Sequence, residues 1–366
     1  MDRRAFLKTS FAVGAATLAW PARSAGEWRT YEVSTKVELT FPKGVSRVWL
    51  PLPMTADTEW HRSLGNEWSG NATRAQVVSD GKYGVSMLYA EWDGDKVLPQ
   101  LEVKSRVATR EHNVDPSKPR PGAEQLSAAD RQFYTAATDY IPTDGIVRKT
   151  AQGIVKGASG EVAKGASGEV AKARAIYEWV VENTFRDPKV RGCGWGDIKS
   201  MLETGNLGGK CGDLNALFVG LARSVGLPAR DVYGLRIAPS VHGYRSLGVG
   251  TPSVTRAQHC RAEFFAEGRG WVPVDPADVR KVALEEPPGN LPLGDGKVEA
   301  ARKRLFGNWE MNWLAYNMGH DIALPHSSGP KLPYLMYPNG EVAGERLDQL
   351  DPDAFKYSMT ARELAA

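Results

Sequence analysis

From Trp28 to about Asn113, apolar and polar positions alternate in short runs. "YEVSTKVEL" (Tyr31 to Leu39) repeats with period two, and "SRVWLPLP" is β-branched and aromatic before its prolines. "KYGVSMLYAEW" and "LEVKSRVATRE" follow, each after turn residues. Alternation in short segments separated by Gly, Pro, Asn and Asp predicts the strands of a β-sandwich. "NVDPSKPRPG" then breaks the pattern as a linker.

Beyond the linker the period lengthens. Helical signals begin near Ser127 and continue through "DGIVRKTAQGIV". A tandem copy follows, "KGASGEVA" at Lys156 to Ala163 and again at Lys164 to Ala171. Eight residues rotate a helix face by roughly 80°, so a second copy would not keep the same stripe buried. The duplication therefore reads as an exposed loop without chemistry. "KARAIYEWVVENTF" places Ile176, Trp179 and Val180 at helical spacing, facing a core. Leu214, Leu217, Phe218, Leu221, Ala222 and Val225 form a clearer apolar stripe, which Gly226 can end in a left-handed cap and Pro228 blocks from continuing. Strand patterns return in "ARDVYGLRIA", "HCRAEFFAE" and "GWVPVDP". The tail from Glu285 mixes Pro/Gly loops with strand-like "NWEMNWLAYNMG" and "PYLMYP". This organisation predicts a leader over 1–25 and a β-sandwich domain over 26–115. A mixed helix-and-strand domain over 116–284 and a β-rich extension over 285–366, packed on the core, complete it.

The chain of 366 residues is long enough for two domains, and a hydrophobic content of 42% supports a sizeable core. A net charge of +3 gives no electrostatic footprint for nucleic acid, and no basic stripe marks a membrane surface. Arg3-Arg4-Ala5-Phe6-Leu7-Lys8, followed by apolar "FAVGAATLAW", is close to the twin-arginine export pattern. The apolar run is too short to span a bilayer. The expected location is therefore periplasmic or secreted. In an oxidising compartment three cysteines leave at least one thiol unpaired within the chain. A Cys193–Cys260 disulfide remains open in such a compartment.

"GGKCGDLNALF", Gly208 to Phe218, puts Cys211 where a glycine-rich loop turns into the striped helix. A sulfur there meets the positive end of the helix dipole, which lowers a thiol pKa, and the flanking glycines clear a path for substrate. The alternative is a small buried cysteine packing a helix start. A thiolate nucleophile needs a base, and the base an orienting group. His259 lies inside the strand-like "QHCRAEFF", where alternation puts Cys260, Ala262 and Phe264 on the core face and His259, Arg261 and Glu263 on the other. Asp275 ends the next strand-like run, "GWVPVDPAD", where a neighbouring strand could bring it beside the imidazole. Each has an ordinary reading too, as a sheet histidine and an Asp-Pro turn residue.

As a set, "GGKCGDLNALFVGLARSVGLPARDVYGLRI", "HCRAEFF" and "GWVPVDPAD" resemble the three signature blocks of the transglutaminase-like superfamily. The resemblance covers roughly Ala173 to Asp278 and implies an α+β fold. Its core is papain-like, a helix packed on an antiparallel sheet, with the β-sandwich before it. It further implies Cys211 as nucleophile, His259 as general base and acid, and Asp275 as orienter of the imidazole. The family often has an aromatic residue two positions after the histidine, where this chain has Arg261. The backbone N–H of Cys211 is one oxyanion donor, and Trp195 in "GCGWGD" is a candidate second, substrate-binding donor. Packing of Trp195 in its glycine-rich loop is the competing explanation.

Other chemistries lack their residues: there is no His-Glu-x-x-His helix, Cys-x-x-Cys pair, phosphate loop or Gly-x-Ser-x-Gly elbow. No cofactor or metal is expected. The sequence thus reads as a periplasmic cysteine enzyme acting on peptide or amide bonds through a thioester, with hydrolysis ahead of crosslinking. A catalytically silent peptide-binding module is the rival. The expected partner is a peptide or protein substrate of the cell envelope, with no nucleic acid and no membrane span.

Overall fold

The alternating N-terminal runs pair into two antiparallel sheets that share one core. In the first, strand Arg29–Glu38 lies between Gln100–Thr109 and Tyr357–Glu363, with His61–Gly70 at the far edge. In the second, the order is Glu345–Arg346, Asn339–Val342, Ser46–Pro51, Ser86–Trp92, Arg74–Ser79. Val33, Val37 and Val103 of one sheet and Val48, Leu50 and Leu88 of the other belong to a single buried cluster. Burying each such side chain stabilises the fold by about 1.5–3 kcal/mol. His61–Gly70 and Arg74–Ser79 are strands that the apolar pattern does not mark, because most of their side chains stay exposed.

These features come from a computed structural model, which describes residues 26–40, 43–94, 98–157, 168–250 and 252–365. The expected leader and residues 158–167 of the tandem copy lie outside them. Gly168–Ala171 of the second copy, expected as loop, instead form the first turn of helix Gly168–Asn183, with Val170 buried. Glu169 favours a helix start at this point by complementing its dipole.

A third antiparallel sheet carries His259 and leads into Asp275, in the order Gly270–Val274, Gln258–Ala266, Ala229–Arg236, Trp313–Asn317. Helix Cys211–Ser224 packs against it, as the stripe predicts, and every residue from Cys211 to Arg223 is buried. Burial extends beyond one stripe because helices Gly145–Gly157 and Gly168–Asn183 cover the opposite face. Gly226, at φ 78°, lets the chain turn back, and Leu227 N–H donates to Ala222 O at 3.1 Å.

The tail supplies strands to all three sheets: Trp313–Asn317 beside Ala229–Arg236, Asn339–Val342 beside Ser46–Pro51, and Tyr357–Glu363 beside Arg29–Glu38. "PYLMYP" is not a strand. Pro333 and Pro338 lack N–H groups for a ladder, and the segment is irregular although Tyr334, Leu335, Met336 and Tyr337 are buried. Among the described residues, no helix is long and apolar enough to cross a membrane.

Candidate active site

Cys211 is the first residue of its helix, and two features fix that start. Asp213, one turn in, accepts from Lys210 N at 2.9 Å and from Gly196 N at 2.9 Å, tying the preceding loop to the helix. Gly212 N donates to Cys193 O at 2.7 Å. The loop is glycine-rich because it runs against this carboxylate: a Cβ on Gly194 (φ 89°) would sit 1.8 Å from Asp213 Oδ2.

The sheet brings His259 and Asp275 to the same place. Strand Gln258–Ala266 pairs with Gly270–Val274, and Asp275 follows that second strand directly. His259 Nε2 lies 2.8 Å from Asp275 Oδ2. Asp275 is also the N-cap of helix Pro276–Glu285, its Oδ1 accepting from Asp278 N at 3.0 Å. The ordinary role of an Asp-Pro turn and the role of imidazole partner thus reside in one residue. Asn215, one turn along the Cys211 helix, donates to Asp275 Oδ1 at 3.2 Å and to Cys260 O at 2.8 Å, linking helix and sheet.

Asp278 and Arg236, which the sequence does not single out, and Arg261, noted there only as a departure, complete the cluster. Asp278 Oδ2 is 3.4 Å from His259 Nε2, and Arg236 Nη2 contacts both oxygens of Asp278, at 2.6 and 2.7 Å. Arg261, where an aromatic was noted as missing, places Nε 3.7 Å from Asp275 Oδ2, with its guanidinium 4.8 Å from the centroid of Trp313. Trp313 Nε1 in turn donates to His259 O at 2.9 Å. The strand is therefore buried on both faces. Cys260, Ala262 and Phe264 join the helix-side core as alternation predicts, while His259, Arg261 and Glu263 are enclosed as well.

Gly234 makes the tryptophan contact fit. A Cβ there would lie 2.1 Å from Leu314 O and 2.4 Å from the Trp313 ring. Gly234→Ala should therefore cost about 2–3 kcal/mol, read as a lower denaturant midpoint, because backbone and a locked ring cannot both retreat. A midpoint like that of the wild type would show that the sheet yields at this point.

The charges form a graded set. Asp278 is held well below the ordinary carboxyl range: burial pushes it up, but Arg236 and the imidazole outweigh that push. Asp275 is raised, by burial and then by the charge of Asp278. Burial and Arg236 press the His259 imidazolium down, yet Asp278 and Asp275 together win and raise its pKa to about 10. Cys211 is held well below the usual thiol range. The neighbouring Cys193 and Cys260 thiols, with the His259 imidazolium, outweigh the opposing effect of burial. Both neighbouring thiols are pushed up, Cys193 chiefly by the adjacent Cys211 and Cys260 chiefly by burial. With Nε2 on the carboxylates, Nδ1 is the ring nitrogen left for the thiolate.

All three cysteines are free and buried, so the Cys193–Cys260 disulfide that the sequence leaves open is not formed here. The opposite shifts predict one fast thiol and two slow ones. A small thiol reagent at neutral pH should modify only Cys211 quickly, and Cys193 and Cys260 should follow after denaturation. Three equally fast thiols would contradict this electrostatic account.

Trp195 is not brought to the cluster. It is 59% exposed, lies 6.3 Å from the ring of Tyr140, and does not line the cavity that holds Cys211 and His259. Positive φ at Gly194 and Gly196, with Gly196 N bound to Asp213, turns the loop so that the indole points outward.

His259, Asp275 and Asp278 offer ligand atoms within 4.8 Å of one another, close enough for a metal ion. The donor set fits poorly, because Arg236 binds Asp278, while Asn215, Asp278 N and Arg261 crowd Asp275. A cation there would face two guanidinium groups.

Comparison with known proteins places these residues in context. A family model described as the transglutaminase-like superfamily core matches residues 156–276, a span that includes Cys211, His259 and Asp275. An uncharacterized protein of Haemophilus influenzae is 37% identical over 352 residues, covering 91% of each chain. Among solved structures, a candidate cysteine protease from Cytophaga hutchinsonii is 12% identical. It covers 93% of this chain and 92% of its own, with TM-score 0.55, a likeness of fold. The periplasmic domain of TgpA from Pseudomonas aeruginosa is 15% identical over 78% of this chain and 94% of its own, with TM-score 0.35.

Proposed function

Because the chain belongs to the transglutaminase-like superfamily, we propose that it is a periplasmic cysteine hydrolase that cleaves peptide or amide bonds through a thioester on Cys211. One observation carries the reading: His259, 2.8 Å from the buried Asp275, lines the same cavity as a thiol at a helix N-terminus, and the thiol's pKa is depressed. The periplasmic part rests on the Arg3-Arg4 export pattern.

In the resting site the thiolate of Cys211 and the imidazolium of His259 form an ion pair. The thiolate attacks the carbonyl carbon, and the developing oxyanion takes a hydrogen bond from the Cys211 N–H. His259 gives its proton to the departing amine as the C–N bond breaks, leaving an acyl thioester and a neutral imidazole. That imidazole then removes a proton from water, hydroxide adds to the thioester, and the carboxylic acid leaves as thiolate and imidazolium re-form. Asp275 and Asp278 hold the ring and stabilise its charged state throughout. Water is the favoured acceptor, since no feature of the cavity marks an amine site.

An activated p-nitrophenyl ester tests the reading without knowledge of the natural substrate. The wild type should release a burst of about one nitrophenolate per chain, followed by steady turnover. Adding a primary amine should leave the product chiefly a carboxylic acid. Release no faster than in buffer would reject the enzyme and favour a silent binding module. Amide as the main product would reject hydrolysis alone.

A further inference from the structure

The cavity over Cys211 and His259 has a volume of about 710 Å³, in the range of small-ligand sites. Its charged lining is one-sided: Arg186, Lys210, Arg236, Arg256 and Lys281 against the single carboxylate of Asp353. Two of these cations are already matched, Arg236 by Asp278 at 2.6 Å and Arg256 by Asp353 at 2.7 Å. The other three lie toward one wall. Arg186 stands beside Gly209, through the pairing of Phe185–Arg186 with Gly208–Gly209, and so next to Lys210. Arg186 and Lys281 contact the same carboxylate, Glu285. Lys210, one residue before the nucleophile, has no carboxylate partner among the described residues.

We propose that Arg186, Lys210 and Lys281 form a carboxylate-binding wall, so that the acyl substrate is an acidic peptide whose anionic group lies near the carbonyl attacked by Cys211. This rests on the assignment of Cys211 as nucleophile. Two cations sharing one glutamate, with Lys210 unmatched beside them, leave positive charge uncompensated in a partly enclosed space, where field lines concentrate. Lys281 feels this directly: burial, then the charge of Arg186, depress its pKa despite Glu285. An incoming anion relieves that repulsion. Within peptides the groups that supply such an anion are an acidic side chain and a free C-terminus. The wall therefore selects for substrate charge, while the Cys211–His259 ion pair is left for the bond cleavage.

The test alkylates the intact protein with iodoacetate and, separately, iodoacetamide, which deliver almost the same group with and without a charge. The ratio of their rates at Cys211, divided by that for N-acetylcysteine, should be about tenfold above unity at low salt and fall as salt screens the wall. Lys210→Gln and Lys281→Gln should each reduce it about threefold or more, because a ratio cancels any common change in thiol pKa. Three protectants then identify the source of the anion. N-acetylglutamate α-amide carries only the side-chain carboxylate, N-acetylglutamine only the α-carboxylate, and N-acetylglutamine amide neither. Protection by one of the charged compounds but not by the neutral one supports the wall and names its ligand. Fast labelling of Cys211 with ratios unchanged in both variants, or equal protection by all three compounds, overturns the wall and leaves the nucleophile standing. Preferential labelling of Cys193 or Cys260 overturns the nucleophile itself.

Discussion

Cys211→Ala should reduce ester or amide turnover to the uncatalysed background, a loss of about five to six powers of ten if the site works as a unit. The change deletes one buried sulfur from a helix start otherwise held by Asp213 and Gly212. Stability should consequently fall by no more than about 1–2 kcal/mol, with the circular dichroism spectrum unchanged. Cys193 and Cys260 cannot substitute, since both thiols are pushed toward their protonated form. Activity and melting temperature measured on one preparation separate the alternatives. An inactive but folded variant fits a nucleophile, and an unfolded one fits a packing residue.

The second large effect separates His259 from its carboxylates. His259→Ala removes the group that protonates the leaving amine and activates water, so turnover should fall nearly as far as in the cysteine variant. Asp275→Asn should cost less, about three to four powers of ten. The amide can keep the cap on helix Pro276–Glu285, and Asp278 remains charged 3.4 Å from the ring. The pH profile should change with a definite sign. In the wild type the ion pair spans the range from the depressed pKa of Cys211 up to about 10, where His259 loses its proton. Removing the charge of Asp275 destabilises the imidazolium, so His259 deprotonates at lower pH and the window closes from its alkaline side. Thiol alkylation followed against pH should show this shift. A profile superimposable on the wild type would mean that Asp278 alone holds the ring and that Asp275 serves only as a cap.

How far this site was legible in the sequence depends on how distinctive each residue's neighbourhood is. Cys211 was readable because glycines and a long apolar stripe marked a helix start, and the same stripe fixed the helix that packs on the sheet. Strand periodicity and the turn before Pro276 placed His259 and Asp275 where neighbouring strands could bring them together, and only the family resemblance singled them out as a pair. Arg236, Asn215 and Asp278 were not legible, since no periodicity marks these polar residues as buried, and only tertiary packing supplies the partners that justify their burial. The Asp-x-x-Asp spacing of Asp275 and Asp278 was a usable hint of a capped helix. Trp195 misled because composition does not reveal which way a side chain leaves a loop whose glycines adopt positive φ. The "PYLMYP" segment misled for a related reason. Apolar content signals burial, but the prolines deny it the hydrogen bonds of a strand.

The central claim is that an acyl group resides on Cys211 during turnover. Incubating the protein with a cell-envelope extract, quenching in acid to preserve thioesters, and mapping the peptides by mass spectrometry tests it directly. The account predicts an adduct on the peptide containing Cys211, released by hydroxylamine, absent from Cys211→Ala, and accumulating when deacylation is slowed in Asp275→Asn. An adduct on another residue, or none on Cys211 while substrate is being consumed, would contradict it.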